Sequence, residues 1–203
     1  MSRSMLRFVS VPLALSLSLA ACADEADNSD PITSQESAAA TQAVEGVVVA
    51  MAPASGGSLA NIAAAYRASF GTGGLSCATV ATDDLTFVSV TFTCTGPLAT
   101  SGSIQLELTS ATKLEASVDL AIGGVSIDGS FELSVPLDPA AQRSFHGELT
   151  IEGLQRTLST EASASWTSNG ACVTYSASGH IDASGPRGNG SADLEVTART
   201  VCR

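Results

Sequence analysis

The most regular feature of this chain is an alternation of apolar and polar residues between residues 86 and 202. In LEASVDLAI, which begins at Leu114, every second residue is apolar, and VSIDGSFELSV, which begins at Val125, repeats the pattern. Side chains of a strand point alternately to its two faces, so a period of two predicts strands with one apolar face. Similar stretches predict about eight strands.

Short turns between these strands keep their apolar residues in phase. Gly123-Gly124 and Asn169-Gly170 contain residues that adopt the positive φ of two-residue hairpin turns, and a third turn is predicted at Leu154-Gln155. A slip of one residue would move a whole apolar set to the other face of the sheet. The predicted pairs are Ile122 with Val125, Ile151 with Leu158 and Trp166 with Val173.

The last hairpin contains a conflict. Pairing Ile181 with Leu194 keeps the apolar face continuous, but this register displaces Cys202 from Cys172 by one residue. A β-bulge inserts one extra residue into a strand. A bulge within residues 184–189 or near the C-terminus would therefore reconcile the two arrangements.

Two stretches before the strands have helical patterns. Residues 34–52 are rich in alanine and valine, and in residues 58–70 apolar side chains recur every three or four positions, as on a helix that buries one face. Ser58 suits the N-cap of the second helix, and Gly71 suits its end. The apolar positions of this helix are Leu59, Ile62, Tyr66 and Phe70.

The predicted fold is therefore mainly β. It is an antiparallel up-and-down meander of about eight strands, strongly curved or barrel-like, with one or two N-terminal helices packed on the apolar face. A transmembrane barrel has the same alternation, but it needs girdles of aromatic residues. Aromatic residues make up only 4% of this chain, which disfavours that alternative.

The N-terminus has three parts in order: Arg3 and Arg7, an apolar stretch over residues 8–21, and Leu19-Ala20-Ala21-Cys22. The last four residues resemble the lipobox of bacterial lipoproteins. The resemblance implies export, attachment of diacylglycerol to Cys22 and cleavage after Ala21, with an ordinary signal peptide as the alternative. It also favours the outer membrane, because no retention-type aspartate follows the cysteine.

The expected organisation is a signal peptide over residues 1–21, an acidic flexible tether over 22–43 and one domain over 44–203. The tether is rich in Asp, Glu, Ser and Ala, a composition that buries too little apolar surface to fold. The net charge of −11 excludes nucleic acid as a partner, because nucleic-acid binding needs a basic surface. The membrane, through the acyl anchor, is the expected partner.

The chain contains five cysteines. If Cys22 carries lipid, four remain, and four cysteines in an oxidising compartment predict two disulfides. Cys77–Cys94 and Cys172–Cys202 are the favoured pairs, because each pair brackets a segment of hairpin size. No C-x-x-C spacing supports a zinc site, and no cofactor is expected.

His146 and His180 are the two histidines, and both occupy polar-face positions. No motif places a nucleophile or a metal ligand beside either one, so no enzymatic activity is expected. Acidic residues on the polar face are interpreted as solvated side chains, not as a calcium site. They are Asp128, Glu132, Glu148, Glu152 and Glu161.

These features predict a lipid-anchored envelope protein without catalysis that binds or carries a hydrophobic ligand or contacts an envelope protein. The alternative is a surface-displayed module that contacts protein or polysaccharide through its polar face. A hydrolase using His146 or His180 is the third hypothesis. The predicted apolar cavity is lined by Leu59, Ile62, Tyr66, Phe70, Phe131, Leu149, Trp166 and Tyr175.

Overall fold

The computed structural model describes residues 30–70, 77–83, 86–95, 100–138, 140–169 and 172–202. In this part of the chain, two helices precede nine strands. The helices are α1 (Ser34–Met51) and α2 (Leu59–Phe70). The strands are β1 (Ala78–Asp83), β2 (Phe87–Thr93), β3 (Thr100–Ser110), β4 (Lys113–Ile122), β5 (Val125–Ser134), β6 (Arg143–Glu152), β7 (Thr157–Asn169), β8 (Cys172–Ser184) and β9 (Gly190–Cys202).

The nine strands form a single antiparallel sheet in which each strand pairs with the next one along the chain. This confirms the mainly β, up-and-down meander. Among the described residues, β1 and β9 are the two edges of the sheet and do not pair with each other. The sheet is neither closed nor strongly curled, so the barrel-like shape is not confirmed.

Both helices cover the apolar face of the sheet. Helix α1 packs on β7, β8 and β9 and reaches β4, whereas α2 packs on β1 and β2. In α1, Val44, Val47, Val48 and Met51 are completely buried. Burial of each such side chain contributes about 1.5–3 kcal/mol, so α1 is held mainly by its contact with the sheet.

Helix α1 begins earlier than the predicted domain boundary. Residues 34–43 belong to its first half, and Glu36, Ala39, Ala40 and Ala43 are buried. Thr33 and Glu36 form a capping box, in which each side chain accepts a hydrogen bond from the backbone N–H of the other. The predicted tether of residues 22–43 is therefore too long.

The predicted registers are confirmed at two of the three turns. Ile122 faces Val125, and Ile151 faces Leu158. At the third turn, Asn169 pairs with Cys172, so the register differs from the prediction by two residues. An even shift keeps the same side chains on the apolar face, which is why the fold tolerates the difference.

A β-bulge near the C-terminus resolves the conflict in the last hairpin. Cys172 pairs with Cys202, and the register then shifts by one residue between Tyr175 and Ala177. The predicted pairing of Ile181 with Leu194 is wrong, because Ile181 faces Ala192. The bulge leaves the cysteines opposite each other without disturbing the rest of the apolar face.

The predicted cavity residues fill the core instead of surrounding an empty space. Ile62, Tyr66, Phe131, Leu149, Trp166 and Tyr175 are each at most 4% exposed. Leu59 is partly buried and packs against the same core. Ser58 caps α2 as predicted, since its Oγ accepts a hydrogen bond from the N–H of Asn61 at 3.2 Å. Gly71 lies outside the described residues.

Candidate functional site: a groove beside helix α1

A groove of about 760 Å³ lies along the outward side of α1 and is here called the α1 groove. Its walls come from the ends of β2, β3 and β4, from the last residue of α2 and from the edge strand β9. From α1 it is lined by Ser34, Ser37, Ala38, Thr41, Gln42, Glu45, Gly46, Val49 and Ala50. The other lining residues are Phe70, Cys77, Phe92, Cys94, Thr95, Thr100, Ile122, Arg199 and Cys202.

The sequence of α1 explains why this face is open. One stripe of the helix carries Val44, Val47, Val48 and Met51 and is buried against the sheet, whereas the stripe one to two positions away carries mostly small and polar residues. Small side chains leave space above the helix. Gly46 also lets the helix lie close to β4, because a Cβ at this position would clash with Cδ1 of Ile122.

A charged cluster forms part of the groove wall. Oε2 of Glu45 accepts a hydrogen bond from the hydroxyl of Tyr175 at 2.9 Å, and it also lies 2.9 Å from Nε of Arg199. The Glu45 side chain is 13% exposed, whereas that of Arg199 is 53% exposed. Burial, followed by the hydrogen bond to Glu45, raises the pKa of Tyr175, so its hydroxyl remains a donor.

Arg199 reaches the helix-covered face because of the bulge in β9. Ala177 pairs with Val196 before the bulge, and Tyr175 pairs with Arg199 after it. If the first register continued, Ala198 would lie opposite Tyr175 and Arg199 would point to the other face. Ala198 has a φ of 44°, in the left-handed region that residues other than glycine seldom occupy.

Two disulfides border the groove. Cys77 is bonded to Cys94 and Cys172 to Cys202, which confirms both predicted pairs. The first joins the residue after β2 to the residue before β1. The second joins the first residue of β8 to the last residue of the edge strand β9. Three of the four cysteines line the groove, so the covalent links hold the strand ends that form its walls.

A second glutamate of α1 makes a buried ion pair away from the groove wall. Nε and Nη2 of Arg156 donate to the two carboxylate oxygens of Glu36 at 2.8 and 2.6 Å. Arg156 also donates to the backbone oxygens of Asp30 and Pro31. The hydrogen bonds from Arg156, opposed in part by burial, lower the pKa of Glu36 from 4.5 to about 2.

Of the eight predicted cavity residues, only Phe70 lines the α1 groove. The two charged residues of its wall, Glu45 and Arg199, were not among the predicted site residues. Glu45 lies in helix α1, and the alternating pattern of the strands gives no information about a helix. Arg199 lies in β9, and the face to which it points depends on the bulge. The available signal was the register conflict itself, because it indicated an irregular β9.

The two histidines lie on the opposite, solvent-facing side of the sheet. Nδ1 of His146 is 2.9 Å from Oγ of Ser163, and its Nε2 is 3.6 Å from a carboxylate oxygen of Glu161. These are the residue types of a hydrolytic triad. Sequence reasoning missed Ser163, although the predicted β6–β7 register already places it opposite His146.

This histidine cluster is open to water. The side chain of His146 is 63% exposed and that of Glu161 is 65% exposed, whereas nucleophilic catalysis relies on a water-excluded site with preorganised donors. His180 lies 3.2 Å from Asp193 and 3.5 Å from Asp182, and it is similarly exposed. Within the described ranges, no group of three or more His, Cys, Asp or Glu side chains is placed to hold a metal ion.

Residues 1–29, and with them the lipobox and Cys22, lie outside the described residues. Among the helices that the structure does describe, none is long and apolar enough to cross a membrane. Comparison of the chain with protein-family models, with curated proteins and with solved structures gave no match in any of the three.

Proposed function

We propose that this chain is a lipid-anchored protein of the bacterial cell envelope that binds a hydrophobic ligand in the α1 groove and acts without catalysis. The observation that carries this proposal is the groove itself. Its volume of about 760 Å³ lies within the range of roughly 300–1,000 Å³ that is typical of small-molecule sites. Phe70, Phe92 and Ile122 provide apolar contacts, and the small residues of α1 leave room for the ligand.

The envelope location is supported by two independent features. The lipobox resemblance at Cys22 implies an acyl anchor, and two or more acyl chains make membrane attachment stable where one is marginal. Two disulfides, Cys77–Cys94 and Cys172–Cys202, are typical of proteins that fold in an oxidising compartment. By the same resemblance, the anchor lies in the outer membrane.

The binding test uses residues 22–203 with Cys22→Ala, which carry neither the apolar signal segment nor an acyl group and are purified without detergent. A fluorescent fatty acid is titrated into this protein. We expect saturable binding that Ala38→Trp weakens at least tenfold, because Ala38 is an exposed residue that lines the groove. Ala60→Trp is the matched control, since Ala60 is equally small and exposed but lies on α2 outside the groove.

An absence of saturable binding to the parent protein would reject the ligand-binding function. Equal loss of binding in both tryptophan variants would assign the probe to a site other than the α1 groove.

The anchor is tested separately, by mass measurement of protein extracted from membranes. The expected mass corresponds to a chain that begins at Cys22, carries diacylglycerol with or without an additional amide-linked acyl group, and retains both disulfides. An unacylated chain with four reduced thiols would contradict the envelope location.

A surface-displayed interaction module is the second candidate, and one feature of the outer face favours it. Strands β6, β7 and β8 form a shallow trough of about 660 Å³ on that face. Polysaccharides carry many hydroxyl groups, and serine hydroxyls can both donate hydrogen bonds to them and accept hydrogen bonds from them. Serines that line the trough include Ser144, Ser163, Ser165, Ser176 and Ser178.

Protease treatment of intact cells separates the two candidates. A module displayed on the cell surface is degraded, whereas a domain that faces the periplasm survives until the outer membrane is permeabilised.

A further inference from the structure

We propose that the ligand of the α1 groove is a long-chain carboxylate, a free fatty acid, whose acid group is bound by Arg199. This inference rests on the proposed function and adds the chemistry of the ligand. It is argued from the change of polarity along the groove, from the charge on its wall, and from the strained backbone that places that charge.

The lining of the groove changes character along α1. Ser34, Ser37 and Thr41 line the N-terminal part, whereas Val49 and Ala50 line the C-terminal part. With the helical rise of 1.5 Å per residue, this lining extends over about 24 Å. Glu45, which pairs with Arg199, lies between these two parts, so a ligand with its polar head at Arg199 would place its apolar chain along Val49, Ala50 and Ile122.

The charge on the wall selects the head group. Among the described lining residues, Arg199 is the one cationic side chain, and Glu45 is the one acidic side chain. Glu45 is mostly buried and accepts hydrogen bonds from the protein, whereas Arg199 is 53% exposed. An incoming anion therefore meets the guanidinium and not the carboxylate.

The geometry of the guanidinium favours a carboxylate. Its Nε is paired with Glu45, and within the described chain Nη1 and Nη2 make no further hydrogen bond. The two terminal nitrogens present parallel N–H groups, which bind the two oxygens of a carboxylate side by side. The acid of the ligand would then lie across the guanidinium from Glu45.

The backbone beside Arg199 is strained, and this supports a ligand-binding role. Ala198 occupies the left-handed region at a φ of 44°. Such conformations cost roughly 1–3 kcal/mol each and cluster at active sites and ligand clamps. Here the strained residue forms the bulge that turns Arg199 toward the helix-covered face.

The test compares two ligands that differ in the head group only. Laurate and dodecanol are titrated into residues 22–203 with Cys22→Ala. We expect laurate to bind about tenfold more tightly than dodecanol, and we expect Arg199→Gln to abolish this preference while leaving dodecanol binding unchanged. Arg187→Gln is the control, because it removes the same charge from an exposed residue outside the groove.

The outcomes distinguish this inference from the proposed function. Equal binding of laurate and dodecanol to the parent protein overturns the inference and leaves the proposed function intact. Binding of neither ligand overturns both. Equal weakening of laurate and dodecanol binding by Arg199→Gln overturns the inference, because Arg199 would then maintain the shape of the groove without contacting the head group. Tighter binding of dodecyl phosphate than of laurate overturns the choice of a carboxylate.

Discussion

Helix α1 carries two glutamate–arginine pairs, and they differ in how completely each arginine is used. In the pair Glu36–Arg156 the side chains are 7% and 2% exposed, and the guanidinium donates to two carboxylate oxygens and two backbone oxygens. In the pair Glu45–Arg199, the arginine is 53% exposed and contacts the carboxylate through Nε. One helix thus presents the same two residue types in a closed and in an open arrangement.

The buried pair fixes α1 to its surroundings, whereas the open pair is the one that the proposed function assigns to ligand binding. Arg156 lies in the β6–β7 connection. Its hydrogen bonds hold the start of α1, through Glu36, and the backbone at Asp30 to this connection. Arg199 lines the groove and is 53% exposed. The number of donors left to solvent, and not the presence of a salt bridge, distinguishes the two roles.

The largest expected effect comes from truncating the buried arginine. Arg156→Ala leaves the Glu36 carboxylate buried without its partner, and removal of one member of a buried ion pair is strongly destabilising. We expect the thermal unfolding midpoint, followed by circular dichroism, to fall on the order of 10 °C. Arg199→Ala should lower it by no more than about 2–4 °C, because Arg199 is half exposed and Glu45 keeps the hydrogen bond from Tyr175. Equal losses in the two variants would remove the distinction between the pairs.

Acid is expected to destabilise the folded protein through protonation of Glu36. The pKa of Glu36 is lowered in the folded protein from 4.5 to about 2, so the unfolded chain binds this proton more readily than the folded one. The stabilisation is present above pH 4.5 and is lost as the pH falls toward 2.

Denaturant unfolding across that pH range should therefore show a steeper loss of stability in the parent protein than in Glu36→Gln. Arg199→Ala should retain the slope of the parent. An unchanged slope in Glu36→Gln would show that other carboxyl groups control the acid response.

The smallest effect is expected at the bulge beside the open pair. The left-handed conformation costs a residue with a Cβ about 1–2 kcal/mol, and Ala198→Gly removes this cost. Glycine also makes the unfolded chain more flexible, which lowers the free energy of unfolding by about 0.5–1 kcal/mol. The net expectation is a gain of roughly 0.5 kcal/mol in the free energy of unfolding, measured with urea. Ala192→Gly in the same strand is the control and should be destabilising. Loss of stability in Ala198→Gly would contradict the strain.

Most of the fold could be predicted from the sequence because its determinants are local. Alternation shows the strands, and Gly123-Gly124 fixes a hairpin whose pairs are those of the structure. Ser58 marks the start of α2. The disulfides followed from cysteine spacing together with the strand pattern.

The remaining features depend on single-residue geometry. A turn placed one position later changes the strand pairing by two residues, as it does after Asn169. The bulge depends on the φ of Ala198, and alanine carries no sequence signal for that conformation. The helix predicted over residues 34–52 matches α1, and only the domain boundary at residue 44 was placed too late, although Thr33 followed three residues later by Glu36 is a capping-box pattern.

The contact between Arg156 and the backbone of Asp30 also limits how far the domain can stand from a membrane. In a chain acylated at Cys22, about eight residues separate the lipid from Asp30, the first described residue. A fully extended chain spans at most about 3.3–3.6 Å per residue, so the domain would stay within roughly 30 Å of the headgroups. A fatty acid leaving the bilayer would therefore have only a short aqueous distance to travel before it met the groove.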